Sequence, residues 1–200
     1  EWYMRIKTKL EKNYAIFHEL VPQQGKILDI GCGYGFMSYM LYFTSNRRSI
    51  TGLDYDEEKI ETANHCFSKT SAINFVHSDI LNFDFEKYDA IILADILHYL
   101  QPAEQDRVLE KCIAQLNPGA VVIIRDGDRD DVKKHKKTVL TEFFSTRLFK
   151  FNKTGEKGLS FFSGRSVREK AAMHNMECRE IRDSTITSNT IFVLGKRQEQ

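Results

Sequence analysis

Two hundred residues carry 29 Lys or Arg against 28 Asp or Glu, a formal net charge of +1. That balance argues against nucleic acid as a partner held by bulk electrostatics and leaves only a local basic patch open to such use. The length suits one domain with a buried core. Cys32, Cys66, Cys112 and Cys178 include no Cys-x-x-Cys pair, so neither a zinc site nor a disulfide framework is expected, and a reducing, cytoplasmic setting fits. The longest apolar runs, such as 90–94 and 120–124, are strand-length, so no transmembrane segment is expected; no secretory signal is visible either.

The chain opens on Glu1 rather than methionine, which suggests a processed end or a domain cut from a longer polypeptide. Trp2, Ile6 and Leu10 recur at helical spacing and mark residues 1–24 as an N-terminal helical segment. Beyond it strands alternate with helices: a strand at 26–30, a helix at 36–44, a strand at 50–53, and a helix at 56–68 that Asp56 caps and Glu57 and Glu58 favour electrostatically. A strand at 73–77 and another at 89–93 follow, then a helix at 103–116 closed by Asn117-Pro-Gly119, and a strand at 120–124. A helix near 166–175 and strands at about 178–182 and 190–194 end the chain. Apolar strands alternating with helices imply an α/β fold with a mostly parallel sheet covered on both faces, which binds ligands at the carboxyl ends of its strands.

Three of those ends carry the chemistry. Asp29 precedes a loop with Gly31, Gly33 and Gly35, where missing Cβ atoms let the backbone turn tightly and approach a ligand. The second strand ends in Asp54 and the third runs into Asp79. A ribose diol offers two donors to a carboxylate, and an exocyclic amine also needs an acceptor. This order, Asp-x-Gly-x-Gly-x-Gly followed by two spaced acids, resembles the class I S-adenosylmethionine (SAM) dependent methyltransferases from about Lys26 onward. The resemblance implies a Rossmann-like seven-stranded sheet whose last strand is antiparallel, a single methyltransferase domain over 1–200, and SAM as cofactor. Gly31, Cys32 and Gly33 would then hold the methionine part above Asp29, Asp54 the ribose beside Tyr55, and Asp79 the adenine amine with Ile80 flanking the ring; Ala94 completes the expected set. A nicotinamide-binding dehydrogenase would also place an acid after the second strand, but its fingerprint needs a third glycine where this chain has Phe36.

Residues 127–162 stand apart in composition, with nine Lys or Arg, five Asp or Glu and six of the fourteen phenylalanines. They follow the fifth strand and form an inserted segment, either substrate-facing, with phenylalanines such as Phe143, Phe161 and Phe162 lining an apolar cavity rimmed by Lys133 to Lys137, or a small helical subdomain with a solvated basic face. Ile124-Arg-Asp-Gly-Asp-Arg129, Lys134-His135, Thr141-Glu-Phe-Phe-Ser-Thr146 and Phe151-Asn-Lys-Thr154 also look like methyltransferase domains found beside acyltransferases in bacterial acyl-chain or aryl polyene pathways. That narrower resemblance implies O-methylation of a phenolic or acyl small molecule, free or carrier-bound.

Methyl transfer mainly needs an aligned acceptor and exclusion of water, but a phenol or alcohol must also lose its proton. His98, in the loop after the fourth strand, is the first candidate for that base and His135 the second; alternatively His98 simply packs in an apolar loop. Asp95 and Asp126, with Asp128, Asp130 and Asp131 nearby, have the oxygen ligands a hard cation takes. Arg125 and Arg129 would pair with these acids equally well, so no metal is expected. A SAM-binding module without catalysis, and an RNA or protein methyltransferase, remain as alternatives.

Overall fold

The computed structural model describes residues 14–130, 160–182 and 189–196. In chain order the described elements are α1 (Tyr14–Leu20), β1 (Gly25–Ile30), α2 (Phe36–Thr44), β2 (Arg48–Asp54), α3 (Glu57–Asn64), β3 (Ile73–His77), β4 (Tyr88–Ala94), a 3-10 turn (Leu97–Tyr99), α4 (Pro102–Ala114), β5 (Leu116–Gly127), α5 (Gly164–Met173), β6 (Met176–Arg182) and β7 (Asn189–Lys196). The seven strands form one sheet in the order β3-β2-β1-β4-β5-β7-β6. β1 pairs with β2 and β2 with β3 in parallel, whereas β6 and β7 run antiparallel. This is the Rossmann-like, seven-stranded arrangement with an antiparallel end that the resemblance implies, on the mostly parallel sheet that the alternating pattern predicts. By internal packing the chain divides into two compact units, residues 1–92 with 115–121, and residues 93–114 with 122–200.

In the first unit, Ile27, Leu28, Ile50, Leu53, Ile73, Ile91 and Ile92 are fully buried, which is why their strands lack the alternation of a half-exposed sheet. Ile27 lies opposite Ile50, Asp29 opposite Gly52 and Asp54 opposite His77, so each successive acid stands two positions further along the strands, Asp54 two beyond the partner of Asp29 and Asp79 two beyond the partner of Asp54. The Phe75 ring explains two of the glycines. A Cβ on Gly35 would stand 2.4 Å from Phe75 Cζ, and one on Gly52 2.6 Å from Phe75 Cδ1, so the ring occupies the volume that side chains at both positions would need. Gly35 therefore serves packing, and its φ of 77° turns the chain into α2.

Arg48 is buried at the base of this unit, and its guanidinium donates to the carbonyls of Pro22, His18, Val21 and Leu41, and to Thr44 Oγ1. It thereby ties the C-terminal ends of α1 and α2 to β2. Burial lowers its pKa from the ordinary arginine value.

In the second unit Val108, Leu109 and Cys112 of α4, Val167 and Ala171 of α5, and Ile123, Ile124, Ile191 and Phe192 of the strands are buried. α4 starts with Pro102 at its first position, where a missing N–H costs nothing, and Glu104 accepts from Gln101 N at 2.8 Å.

Several boundaries differ from the sequence pattern, among them those of α3, α4 and β5. α3 stops at Asn64 rather than Ser68: after the last i→i−4 bond, from His65 N to Glu61, Cys66 N turns back to the Ala63 carbonyl and the chain leaves the helix, with Phe67 fully exposed. α4 ends at Ala114, and β5 begins at Leu116, upstream of Pro118-Gly119. There Tyr88 N bonds the Gln115 carbonyl, and Asn117 Nδ2 donates to Asp89 at 2.8 Å, so pairing with β4 starts before the proline. β5 also runs on to Gly127, carrying Arg125 and Asp126 as buried strand residues.

Candidate active site

The glycine loop is built onto the end of β2. Gly31 N and Cys32 N donate to the Leu53 carbonyl, at 2.7 and 3.0 Å, and Gly33 N donates to Asp54 Oδ2 at 2.8 Å. Gly31 and Gly33 have φ of 74° and 54°, the left-handed conformation that favours glycine. Asp29 lies beneath, buried, and accepts from Ser38 Oγ of α2 at 2.6 Å, so it braces the loop rather than facing a ligand. The Cys32 thiol is also turned inward against Gly52; burial first, then the Asp29 and Asp54 charges, hold its pKa well above the ordinary thiol value. What Cys32 can offer a ligand is backbone.

A side chain added at Gly33 would meet nothing within 4 Å. This open volume beside Asp54 is what a cofactor lying on the loop requires. The Asp54 carboxylate is 7% exposed and is fixed from two sides, Oδ2 by Gly33 N and Oδ1 by Asp56 N at 2.9 Å. A carboxylate has about four acceptor sites, so each oxygen retains one for a hydroxyl donor. Beyond β3, the exposed Asp79 accepts from Leu81 N at 2.9 Å, with Ile80 half-buried between them. The Tyr55 ring is half-exposed. These residues belong to the first unit.

The remaining expected residues fall in the second unit. Ala94 is half-buried at the end of β4, and Asp95 follows with φ 58°, unusual for a residue with a side chain. Two contacts hold it there: Asp95 N donates to the Arg125 carbonyl at 2.8 Å, and its carboxylate pairs with the buried Arg125 guanidinium. His98 is 1% exposed, and its Nδ1 lies 2.7 Å from Asp126 Oδ1, itself 1% exposed. Asp126 also accepts from His98 N and Gly127 N. The His98 ring stacks on Phe161, with centroids 5.7 Å apart and planes at 24°, and Ser160 N donates to the His98 carbonyl. Gln105 Nε2 donates to the carbonyls of Leu97, Leu100 and Ser160, tying this turn to the returning end of the insertion.

Asp128 and Asp130 serve α5. Asp128 accepts from Gly164 N at 3.0 Å, and Asp130 from Ser163 Oγ and Arg165 N, so both carboxylates sit at the N-terminus of that helix. Burial would raise the Asp130 pKa, but the hydrogen bonds from Ser163 and Arg165 and the nearby arginine charges outweigh it, and the net shift is downward. Asp95, Asp126, Asp128 and Asp130, weighed as cation ligands, are thus engaged with Arg125, His98 and a helix end. Among the described residues no group of three or more His, Cys, Asp or Glu is arranged to hold a metal ion. His135, Asp131, Lys133 to Lys137 and Phe143 lie outside the described residues. The sequence pattern missed Asp126 as the partner of His98, since 28 residues separate them, and missed Ser38 as the brace of Asp29.

This architecture and glycine loop define a class. Residues 27–119, just under half of the chain, match the family model described as "Methyltransferase domain". Among curated relatives, the carboxy-S-adenosyl-L-methionine synthase of Campylobacter fetus is 29% identical over 112 residues, covering 56% of this chain and 48% of that protein. The chain spans about half the length of the first curated relatives it matches. Among solved structures, an O-methyltransferase family protein from Burkholderia thailandensis superposes with TM-score 0.70 at 14% identity, covering 97% of this chain and 58% of that one. The N-methyltransferase NodS of Bradyrhizobium japonicum superposes with TM-score 0.66 at 16% identity, covering 94% and 96%. At such identities these two likenesses speak for the fold. No described helix is long and apolar enough to cross a membrane.

Proposed function

We propose that this chain acts as a single methyltransferase domain over 1–200 that moves the methyl group of SAM to oxygen on a small-molecule, lipid or carrier-bound acceptor. The observation that supports it most is the open volume at Gly33 beside a doubly braced Asp54. SAM, when bound, supplies an already activated methyl group. Gly31, Cys32 and Gly33 would support its methionine part through backbone, Asp54 its ribose hydroxyls, and Asp79 its adenine amine, with Tyr55, Ile80 and Ala94 alongside. His98 is the general base in this reading. A carboxylate can only accept, so Asp126 takes the Nδ1 hydrogen and the neutral ring keeps its lone pair on Nε2. Because the ring is buried, an acceptor reaching Nε2 has to displace part of its packing. His135 is the second base candidate. The segment 127–162 would face the substrate, and its likeness to domains beside acyltransferases points to a phenolic or acyl acceptor handled in the cytoplasm. The near-zero net charge argues against RNA.

The curated relatives favour a second reading, in which the chain modifies SAM itself, as the name of the Campylobacter fetus protein states for that enzyme. One experiment separates the outcomes. The chain is incubated with methyl-labelled SAM and a small-molecule and lipid extract. Label leaving SAM for an extractable acceptor, matched by S-adenosylhomocysteine, supports methyl transfer. Label retained in a carboxylated SAM derivative supports the second reading, binding without turnover a non-catalytic module, and label in macromolecules an RNA or protein substrate. Failure to bind either SAM or S-adenosylhomocysteine overturns the proposal.

A further inference from the structure

The turn Asp54-Tyr55-Asp56 presents the carboxylate assigned to the ribose, and the end of β3 clamps it from the side. Ser78 N donates to the Asp54 carbonyl at 3.0 Å, and His77 Nε2 lies 3.0 Å from the Tyr55 carbonyl. His77 is the register partner of Asp54 in the parallel β2–β3 pair, so its ring is delivered to this spot by the sheet itself. The Ser78 contact uses backbone and would survive any side chain. The His77 contact depends on an imidazole N–H, because a carbonyl can only accept. The other ring nitrogen, Nδ1, lies 3.9 Å from Glu57 Oε1 in the first turn of α3, so both edges of the ring face acceptors that frame the turn. Asp56, next in the turn, is already committed as the cap of α3, accepting from Lys59 N.

We infer that His77 is a positioning residue for adenosine binding: its Nε2–H fixes the Tyr55 carbonyl, and with it the direction of Asp54 and the Tyr55 ring. The inference rests on the assignment of this cradle to SAM. An unclamped turn would have to be ordered by the ligand, and that cost would appear as weaker affinity.

Calorimetric titration of the unaltered chain, His77→Ala and His77→Gln with S-adenosylhomocysteine tests it, each variant being checked by thermal unfolding. Loss of one partly exposed hydrogen bond to a carbonyl predicts affinity weaker by about three- to tenfold in His77→Ala. His77→Gln, which offers an amide N–H at similar reach, restores affinity to within about twofold. A merely structural histidine would lower the unfolding midpoint of both variants without this split in affinity. Equal affinities for all three proteins, or an equal loss in both variants, overturn the inference while leaving the cofactor assignment standing. Absence of binding by the unaltered chain overturns the assignment and the inference together.

Discussion

The two units lean differently on backbone and side chains to satisfy their buried charges. In the first, Arg48 is received chiefly by main-chain carbonyls and Asp54 by two backbone amides, while Asp29 takes the Ser38 hydroxyl and Asp56 lies 3.8 Å from Lys59. In the second, Asp126 faces the His98 ring as well as the His98 and Gly127 amides, and Arg125 faces Asp95, side chain against side chain. Backbone partners are fixed by the fold whatever the neighbouring sequence, so a glycine loop and an acid suffice to specify the Asp54 arrangement. Side-chain pairs need two residue identities at once, joined only after the sheet has formed.

Substitutions at five positions sharpen or break that contrast. The largest expected effect is at Arg48→Met, which takes the guanidinium donor from the Val21 and Pro22 carbonyls and leaves those of His18 and Leu41 with only Gln23, and with Ser45 and Thr44; a loss of about 3–5 kcal/mol in urea unfolding is expected. Arg48→Lys should recover little of it, since an ammonium cannot reproduce the fork. A variant as stable as the parent would show that backbone satisfaction is not what anchors α1. Next, Gly35→Ala drives a Cβ into Phe75 and should cost about 2–4 kcal/mol, whereas Gly33→Ala, with open space ahead, should cost only the left-handed strain of about 1–2 kcal/mol but lose most S-adenosylhomocysteine affinity. If Gly33→Ala binds as tightly as the parent, the cradle lies elsewhere.

In the second unit, Asp126→Ala strips the acceptor from a buried imidazole and two amides, and about 2–3 kcal/mol should be lost in thermal unfolding. Asp126→Asn, which still accepts through its carbonyl oxygen, should lose less. The smallest effect concerns Glu110 on α4, which meets Lys170 and His174 at 2.8 and 2.6 Å. The Lys170 hydrogen bond, opposed by burial and aided by His174, holds its carboxyl below the usual value. A depressed carboxyl stabilises the fold above its unfolded pKa, and the contribution fades as pH falls through the folded one. The stability difference between the parent and Glu110→Gln should therefore be present at neutral pH and vanish in acid. Because Glu110 is 41% exposed the difference should stay below about 1 kcal/mol and shrink with salt.

Much of the first unit was legible along the chain. α2 and β3 begin and end where glycine, apolar runs and polar breaks place them. The Asp29, Gly31, Gly33, Asp54 and Asp79 pattern lies within 51 positions because each acid closes its own short strand. The second unit was harder for a physical reason. Arg125 and Asp126 look like the end of a strand, since charges in a covered sheet are costly unless paired, and their partners lie about 30 residues away. Asp128 and Asp130 resemble cation ligands until α5 arrives, 35 residues later, with its N-terminus open to them. The oddly conformed Asp95 gives no sign in sequence, since aspartate is tolerated in many turns.

The base of the insertion has a consequence for both of its ends. Arg129 N meets the Phe162 carbonyl, and Asp130 meets Ser163 and Arg165, so the polypeptide departs from the sheet and rejoins it through a single stitched doorway. The exit from β5 and the entry into α5 are thereby held by the same few hydrogen bonds, so breaking the Asp130 contacts would loosen both ends at once.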